Sequence, residues 1–294
     1  MTGNKHDAEN SVSLQRCGYF TLLTNDEYVT AALVLAQSLK NTKTSVPLCV
    51  LIVESEISTS SKTQLHRMFD QVILIEQLSG VESDNLKAIG RPDLKDTMTK
   101  LQVWSQTQFC RILFLDADTL VLSNLDHLFE LPSTIDLAAS PDLGFSDCFN
   151  SGVMLLKPSS STYSELRRFA SETASFDGGD QGLLNIFFGD GVVRHPSLSF
   201  KDGPYAFGQD GVSHEKNWYR LSCTYNLAMH QVYRLYIPAT LRYIKEHKVL
   251  HFIGKVKPWH FSEGVVPITD DAPAYEQFYA SMVKQWWDIR RSVV

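Results

Sequence analysis

At 294 residues the chain is long enough for one large domain or two small ones, and 44% hydrophobic against 20% charged residues is ordinary for a soluble globular protein. A formal net charge of −6 excludes a broad nucleic-acid-binding face, which needs a basic patch. The five cysteines (17, 49, 110, 148, 223) form no metal-type pairs and no even disulfide set, the opening MTGNKHDAEN has no apolar signal core, and no apolar run reaches membrane-spanning length; the expectation is a cytoplasmic protein with reduced thiols and no membrane contact.

Residues 1–16 are polar and read as a disordered N-terminal segment, leaving 17–294 as the folded part. Gly18–Leu23 predicts a first strand, and Thr24-Asn25-Asp26 a turn rich in helix-capping residues. Apolar groups at Tyr28, Ala31, Ala32, Leu35 and Leu39 then recur at helical spacing. Pro47–Val53 predicts a second strand, Ser58 caps a helix carrying Leu65, Met68 and Phe69, and Val72–Ile75 predicts a third strand. This β-α-β-α-β order predicts an α/β fold with right-handed crossovers and a parallel sheet. Ligands of such sheets collect at the carboxyl ends of the strands, where Thr24 falls.

Arg91-Pro92-Asp93 reads as a loop before a helix capped near Thr97 and carrying Met98, Leu101 and Trp104. Lys100 lies on that helix, either as a solvated lysine or as a cation for phosphate or sugar. The stretch Arg111–Leu125, RILFLDADTLVLSNL, organises the rest. Ile112–Leu115 predicts a buried strand running into Asp116-Ala117-Asp118, whose carboxylates at i and i+2 share one side of an extended chain. Two carboxylates at the edge of an apolar core repel unless a cation joins them, and oxygen ligands that also meet a diphosphate suit Mg²⁺ or Mn²⁺. Taken alone, Asp-x-Asp is a weak signal, and a solvated pair at a strand-to-loop turn is the favoured reading.

Ile135–Ser140 leads to Asn150-Ser151-Gly152, a polar turn feeding an apolar strand. In Phe176-Asp177-Gly178-Gly179-Asp180-Gln181-Gly182, Asp180 is placed to cap the helix holding Leu183, Leu184 and Phe187, while the glycines let backbone approach a ligand. Residues 189–220 read as a long surface excursion. Tyr233 and Tyr236 follow Leu221–Leu227, and Lys248–Ile253 predicts a strand holding His251, by itself an ordinary core histidine. A last helix, started by Pro273, repeats Tyr275, Phe278, Met282, Gln285 and Ile289.

Leu22-Leu23-Thr24-Asn25-Asp26, Asp116-Ala117-Asp118, Phe149-Asn150-Ser151-Gly152, Phe176–Gly182, and His251-Phe252-Ile253-Gly254 with Lys257-Pro258-Trp259 occur in one order across roughly Tyr19 to Trp259. The set resembles the glycogenin family of retaining nucleotide-sugar glycosyltransferases. The resemblance implies a single GT-A type Rossmann-like domain over 17–294, with a mostly parallel central sheet and helices on both faces. It implies Mn²⁺-dependent transfer of glucose from UDP-glucose to a tyrosine of the same protein, then to the growing α-1,4-glucan of glycogen. Asp116, Asp118 and His251 would then ligate Mn²⁺ (or Mg²⁺), Lys257 and the Gly254 backbone would lie at the diphosphate, and Ala117 would belong to the donor-binding set. Leu22, Thr24, Asn25 and Tyr28 match positions at the uridine. Arg91, Lys100, Asn150, Ser151, Asp177, Asp180 and Gln181 match positions around the sugar, with Lys100, Asp177, Asp180 and Gln181 as the catalytic group. Asp180 as a nucleophile and an ion-pair route in which UDP takes the acceptor proton both stay open.

Tyr225-Asn226-Leu227 matches the strand end that precedes the family's acceptor, which makes Tyr233 the expected acceptor and Tyr236 the alternative. Two tyrosines packing one helix face at i and i+3 is the structural reading. Expected partners are UDP-glucose, the glucan, a second copy in a homodimer, and glycogen synthase. The 189–220 stretch and the end near Val294, where the family usually carries a synthase-binding tail, depart from the pattern. Competing functions are a same-fold transferase with another sugar or a small acceptor, and a non-catalytic sugar-nucleotide-binding partner of a synthase.

Overall fold

The apolar runs form the expected strands: β1 (Cys17–Leu23), β2 (Leu48–Val53), β3 (Gln71–Ile75) and β4 (Arg111–Leu115) lie parallel in the order β3-β2-β1-β4. The structure, a computed structural model, describes residues 16–79, 92–144, 147–189, 218–229 and 236–293. Residues 1–15 of the polar start, Arg91, 190–217 of the expected excursion, and Tyr233 lie outside the described residues. The sheet continues through β7 (Phe149–Leu156), antiparallel to β4 and to β6 (Leu137–Pro141), and ends at β8 (Trp218–Arg220), parallel to β6.

Every residue of β2 is buried, as in a strand covered on both faces. Alternate side chains divide between two layers. Val50 and Ile52 pack with α1 (Val29–Asn41) and α2 (Thr59–Met68) through Leu35, Leu39 and Leu65. Cys49 and Leu51 face the opposite layer, formed by Pro92–Ser105, α3 (Ser160–Glu172) and α4 (Asp180–Phe187). The fold is thus a mostly parallel α/β sheet with helices on both faces.

Three local expectations are corrected. Asp116–Asp118 is a turn, not extended chain: the Thr119 amide and hydroxyl both donate to the Asp116 carbonyl, at 3.0 and 2.8 Å. The chain after it, β5 (Thr119–Val121), leaves the main sheet and pairs with β10 (Val249–His251), which also pairs with β9 (Leu227–Ala228). The short α5 (Ile237–Arg242) lies in sequence between β9 and β10, and α6 (Ala274–Arg290) packs Phe278, Val283 and Trp286 against Leu120 and Leu250 of this small sheet and Val34 of α1.

Second, Pro92–Ser105 is 3-10 rather than α-helix. Met98 to Trp104 are buried all round, so surrounding protein rather than propensity sets this geometry. With about three residues per turn, Thr97 and Lys100 stand in line on one side. Third, Asn150-Ser151-Gly152 belongs to β7 instead of a turn. The Asn185 amide of α4 accepts from Phe149 N and donates to Phe149 O, both at 2.9 Å, holding this polar end of the strand in place.

Candidate active site

The main sheet reverses its order at β1, which has β2 on one side and β4 on the other, and ligand crevices open at such points. A cleft of about 700 Å³ lies there. Leu22, Thr24, Asn25 and Tyr28 line it from the end of β1, Asp116, Ala117 and Asp118 from the end of β4, and Asn150 and Ser151 from β7. Lys100 enters from the 3-10 segment, Asp177, Asp180 and Gln181 from the start of α4, and His251, Gly254 and Lys257 from β10 and the loop beyond it. Tyr236, 56% exposed just before α5, is not among the lining residues, and it precedes the helix rather than packing inside it.

At one end of the cleft Asp116, Asp118 and His251 converge, with one ligand atom from each lying within 4.8 Å of the others. His251 Nε2 is 3.2 Å from Asp118 and 3.8 Å from Asp116. Lys257 Nζ donates to Asp118 Oδ2 at 2.5 Å and to the Phe252 carbonyl at 2.8 Å. Burial pushes Asp118 up, but His251 and Lys257 outweigh it and hold this carboxyl well below the usual range. For Asp116 burial wins over Lys100 and His251, and its pKa is raised. Gly152 makes this corner possible, since a Cβ there would lie 2.2 Å from His251 Cε1. Two carboxylates and one imidazole, mostly buried and within one ion's reach, fit a divalent cation that accepts oxygen and nitrogen ligands. Beyond them Gly254 has φ of 91°, a conformation that turns the backbone into the cleft at little steric cost.

The other end is built around a buried lysine. Lys100 Nζ lies 2.7 Å from Asp180 and 3.0 Å from Asp116, and 3.3 Å from the Ser151 hydroxyl. Burial opposes its charge, yet Asp116 and Asp180 prevail and raise its pKa above that of an ordinary lysine. Ser151 donates to the same Asp180 oxygen at 2.7 Å. On the third side, Tyr28 packs edge-on to Trp259 at 5.3 Å, beside Lys257.

The expected capping role of Asp180 falls to its neighbours. The Asp180 amide donates to Thr97 Oγ1, and its carboxylate turns instead to Lys100 and Ser151. Asp177 supplies the cap, accepting from the amides of Gly179 and Gly182 at 2.8 and 3.0 Å and from the Ser175 hydroxyl. Sequence reasoning also missed Asp142 and Asn226. Asp142 Oδ2 accepts from Asn150 Nδ2 and Gln181 Nε2, both at 3.1 Å, and Asn226 Oδ1 lies 3.0 Å from His251 Nδ1. Asp142 carries a local turn signal through its bond to Gly144 N, but nothing in the sequence points its second oxygen at the cleft. Glu27, Gly179, Ile253 and Lys255 complete the walls together with Thr97.

No helix among the described residues is long and apolar enough to cross a membrane, and no disulfide joins the five cysteines. Residues 20–263 match glycosyl transferase family 8. The chain is 39% identical over 272 residues to Glycogenin-1 of Mus musculus, covering 92% of this chain and 74% of the mouse protein. It is 42% identical over 247 residues to Glycogenin-1 of Caenorhabditis elegans, covering 84% of this chain and 52% of that one. In fold it is similar to the galactosyltransferase LgtC solved with donor and acceptor sugar analogues, at a TM-score of 0.55 and 17% identity over 94% of this chain and 95% of that one. The chain belongs to glycosyl transferase family 8 and is a glycogenin-like glycosyltransferase.

Proposed function

We propose that the protein is a glycogen-priming glucosyltransferase of the cytoplasm, moving glucose from UDP-glucose with retention to one of its own tyrosines and then to the growing α-1,4-glucan. The observation that carries the reading is the cleft's division into an Asp116–Asp118–His251 corner and a buried Lys100–Asp180 pair, joined through Asp116. A diphosphate meets the first, and the sugar bound to it falls toward the second.

Asp116, Asp118 and His251 would hold Mn²⁺, or Mg²⁺ in its place. When bound, such an ion neutralises charge developing on the departing diphosphate. Lys257 and the Gly254 backbone add to that neutralisation, and Leu22, Thr24, Asn25 and Tyr28 hold the uridine. In the transfer, the bond between sugar C1 and the UDP oxygen breaks as the acceptor oxygen bonds to C1, and the acceptor proton passes to the departing phosphate. Asp180 Oδ2 already takes two donors, Lys100 and Ser151, which lowers its nucleophilicity. This favours Asp180 stabilising positive charge on the sugar over attacking C1 itself. Asn150 and Gln181 line the same side of the cleft, where Asp142 fixes the orientation of both amides.

A phenol of pKa ~10 gives up its proton to phosphate more readily than an alcohol does, so a tyrosine makes a suitable first acceptor. Tyr233 is proposed in that role, with Tyr236 second and glycogen synthase as the onward partner. The test is intact mass after incubation with Mn²⁺ and UDP-glucose. Hexose increments should appear on the wild type and on Tyr236→Phe, and vanish in Tyr233→Phe while UDP-glucose hydrolysis persists. Sugar passing only to an added free maltoside would favour a small-acceptor enzyme, and UDP binding without any transfer would favour a non-catalytic partner.

A further inference from the structure

A line of side-chain amides crosses the cleft floor from Asp142 to His251. Asp142, Asn150, Asn226 and His251 are all buried, and the described links lie between 2.8 and 3.1 Å. The direction of each bond follows from its two ends. A carboxylate only accepts, so the group Asn150 turns to Asp142 Oδ2 is its NH₂. A backbone N–H only donates, so the group Asn150 turns to Gly152 N, 3.0 Å away, is its carbonyl oxygen. Two independent neighbours thus fix the same orientation of Asn150.

That oxygen also receives Asn226 Nδ2 at 2.8 Å, which leaves Asn226 Oδ1 facing His251 Nδ1 at 3.0 Å. An amide oxygen accepts, so Nδ1 carries the proton and donates. His251 Nε2 is then the ring nitrogen with a lone pair to offer, and it is the one that faces Asp116 and Asp118.

We infer that Asn226 is a positioning residue that holds His251 in the tautomer able to ligate a cation through Nε2, with Asp142, acting through Asn150, setting the polarity of the chain. Asp142 also receives Gln181 Nε2, so one carboxylate orients an amide on the sugar side and, through two others, the imidazole on the opposite side. The inference rests on the proposed cation role of Asp116, Asp118 and His251. Loss of an outer hydrogen-bond partner of a ligating histidine typically costs ~10–100-fold in metal affinity.

The test is Mn²⁺ titration followed by the electron paramagnetic resonance of the free ion, in the presence of UDP, on wild type, Asn226→Leu and Asn226→Asp. Leucine matches the shape of asparagine without an acceptor, and its Mn²⁺ affinity should fall ~10–100-fold. Aspartate keeps an acceptor for Nδ1–H but loses the donor to Asn150 Oδ1, so its affinity should fall clearly less than that of the leucine variant. Equal losses in both variants, or none in Asn226→Leu, would overturn the tautomer role. If wild type binds no Mn²⁺ at all, the cation reading of the triad fails instead. Should Asn226→Leu not fold, long-range ¹H–¹⁵N spectra of wild type loaded with Mg²⁺ and UDP decide directly. His251 Nδ1 should carry the proton, and an unprotonated Nδ1 would overturn the inference.

Discussion

Lys100→Met removes one charge from a place where two carboxylates depend on it. Lys100 Nζ sits 3.0 Å from Asp116 and 2.7 Å from Asp180, with the lysine and Asp180 side chains 7% and 8% exposed. Methionine keeps most of the length and fills the space beside Phe114, so the change is mainly electrostatic. Stripping one partner from a buried ion pair costs about 3–5 kcal/mol. The Asp116 side chain is 27% exposed and partly screened by water, which puts the expectation near the lower end, ~3 kcal/mol at pH 7 without metal. That is a large share of a typical folding stability of about 5–15 kcal/mol. Urea unfolding in EDTA reads it directly.

The loss should depend on pH with a definite sign. Burial, opposed by Lys100 and His251, already raises Asp116, and without Lys100 it rises further. A carboxyl whose folded pKa lies above its unfolded value of ~3.9 costs stability above the folded pKa, and the cost disappears as pH falls toward the unfolded value. The gap between variant and wild type should therefore shrink on acidification from pH 7 toward pH 4. Mn²⁺ brings positive charge back beside Asp116 and should narrow the gap at pH 7. Transfer should drop ~10²–10³-fold, as when one preorganised electrostatic partner is removed. A gap below about 0.5 kcal/mol in EDTA, or one independent of pH, would refute the reasoning.

Asp180→Asn should lose transfer by about 10²-fold or more while UDP affinity, measured by calorimetry, stays nearly constant, because the Asp180 carboxylate is bonded to Lys100 and Ser151 on the sugar side and not to the residues proposed to hold the uridine. UDP affinity falling in step with rate would reduce Asp180 to a structural part. Gly152→Ala places a Cβ 2.2 Å from His251 Cε1 and 2.6 Å from Nδ1, so the imidazole must move. Overpacking of this kind costs about 1–3 kcal/mol, and Mn²⁺ affinity should fall with it, whereas unchanged affinity on titration would show that His251 does not need its present place. Light scattering at micromolar concentration should find a homodimer, bringing one subunit's acceptor within reach of the other's cleft, and a monomer would remove transfer between subunits.

The strands β1 to β4 were written in the chain itself, whereas Trp218–Arg220, at the end of the stretch expected as a surface excursion, is a strand of the main sheet because it pairs with β6. PLCVLIV and RILFL are short, β-favouring and uninterrupted, and such runs have one low-energy home in a sheet covered on both faces. Some of the residues that converge were legible for a related reason: a parallel sheet offers its strand ends to one edge, so polar groups following apolar runs, as at Thr24 and Asp116, are carried there together.

What local spacing could not decide was which partner each polar group takes, because those partners are far away in sequence. Asp180 looked like a helix cap until Lys100 and Ser151 were brought to it, and the cap then fell to Asp177, whose carboxylate faces the free amides at the start of α4. The Asp116–Asp118 turn and the small sheet behind it depend on β10 arriving to pair with β5, which joins Thr119 to His251 across the chain. Asp142 and Asn226 carry no local mark of their roles. Their bonds to Gln181, Asn150 and His251 exist only once five separate segments are packed against one another, since in a buried site each donor must find its acceptor within the protein and only the tertiary fold chooses which.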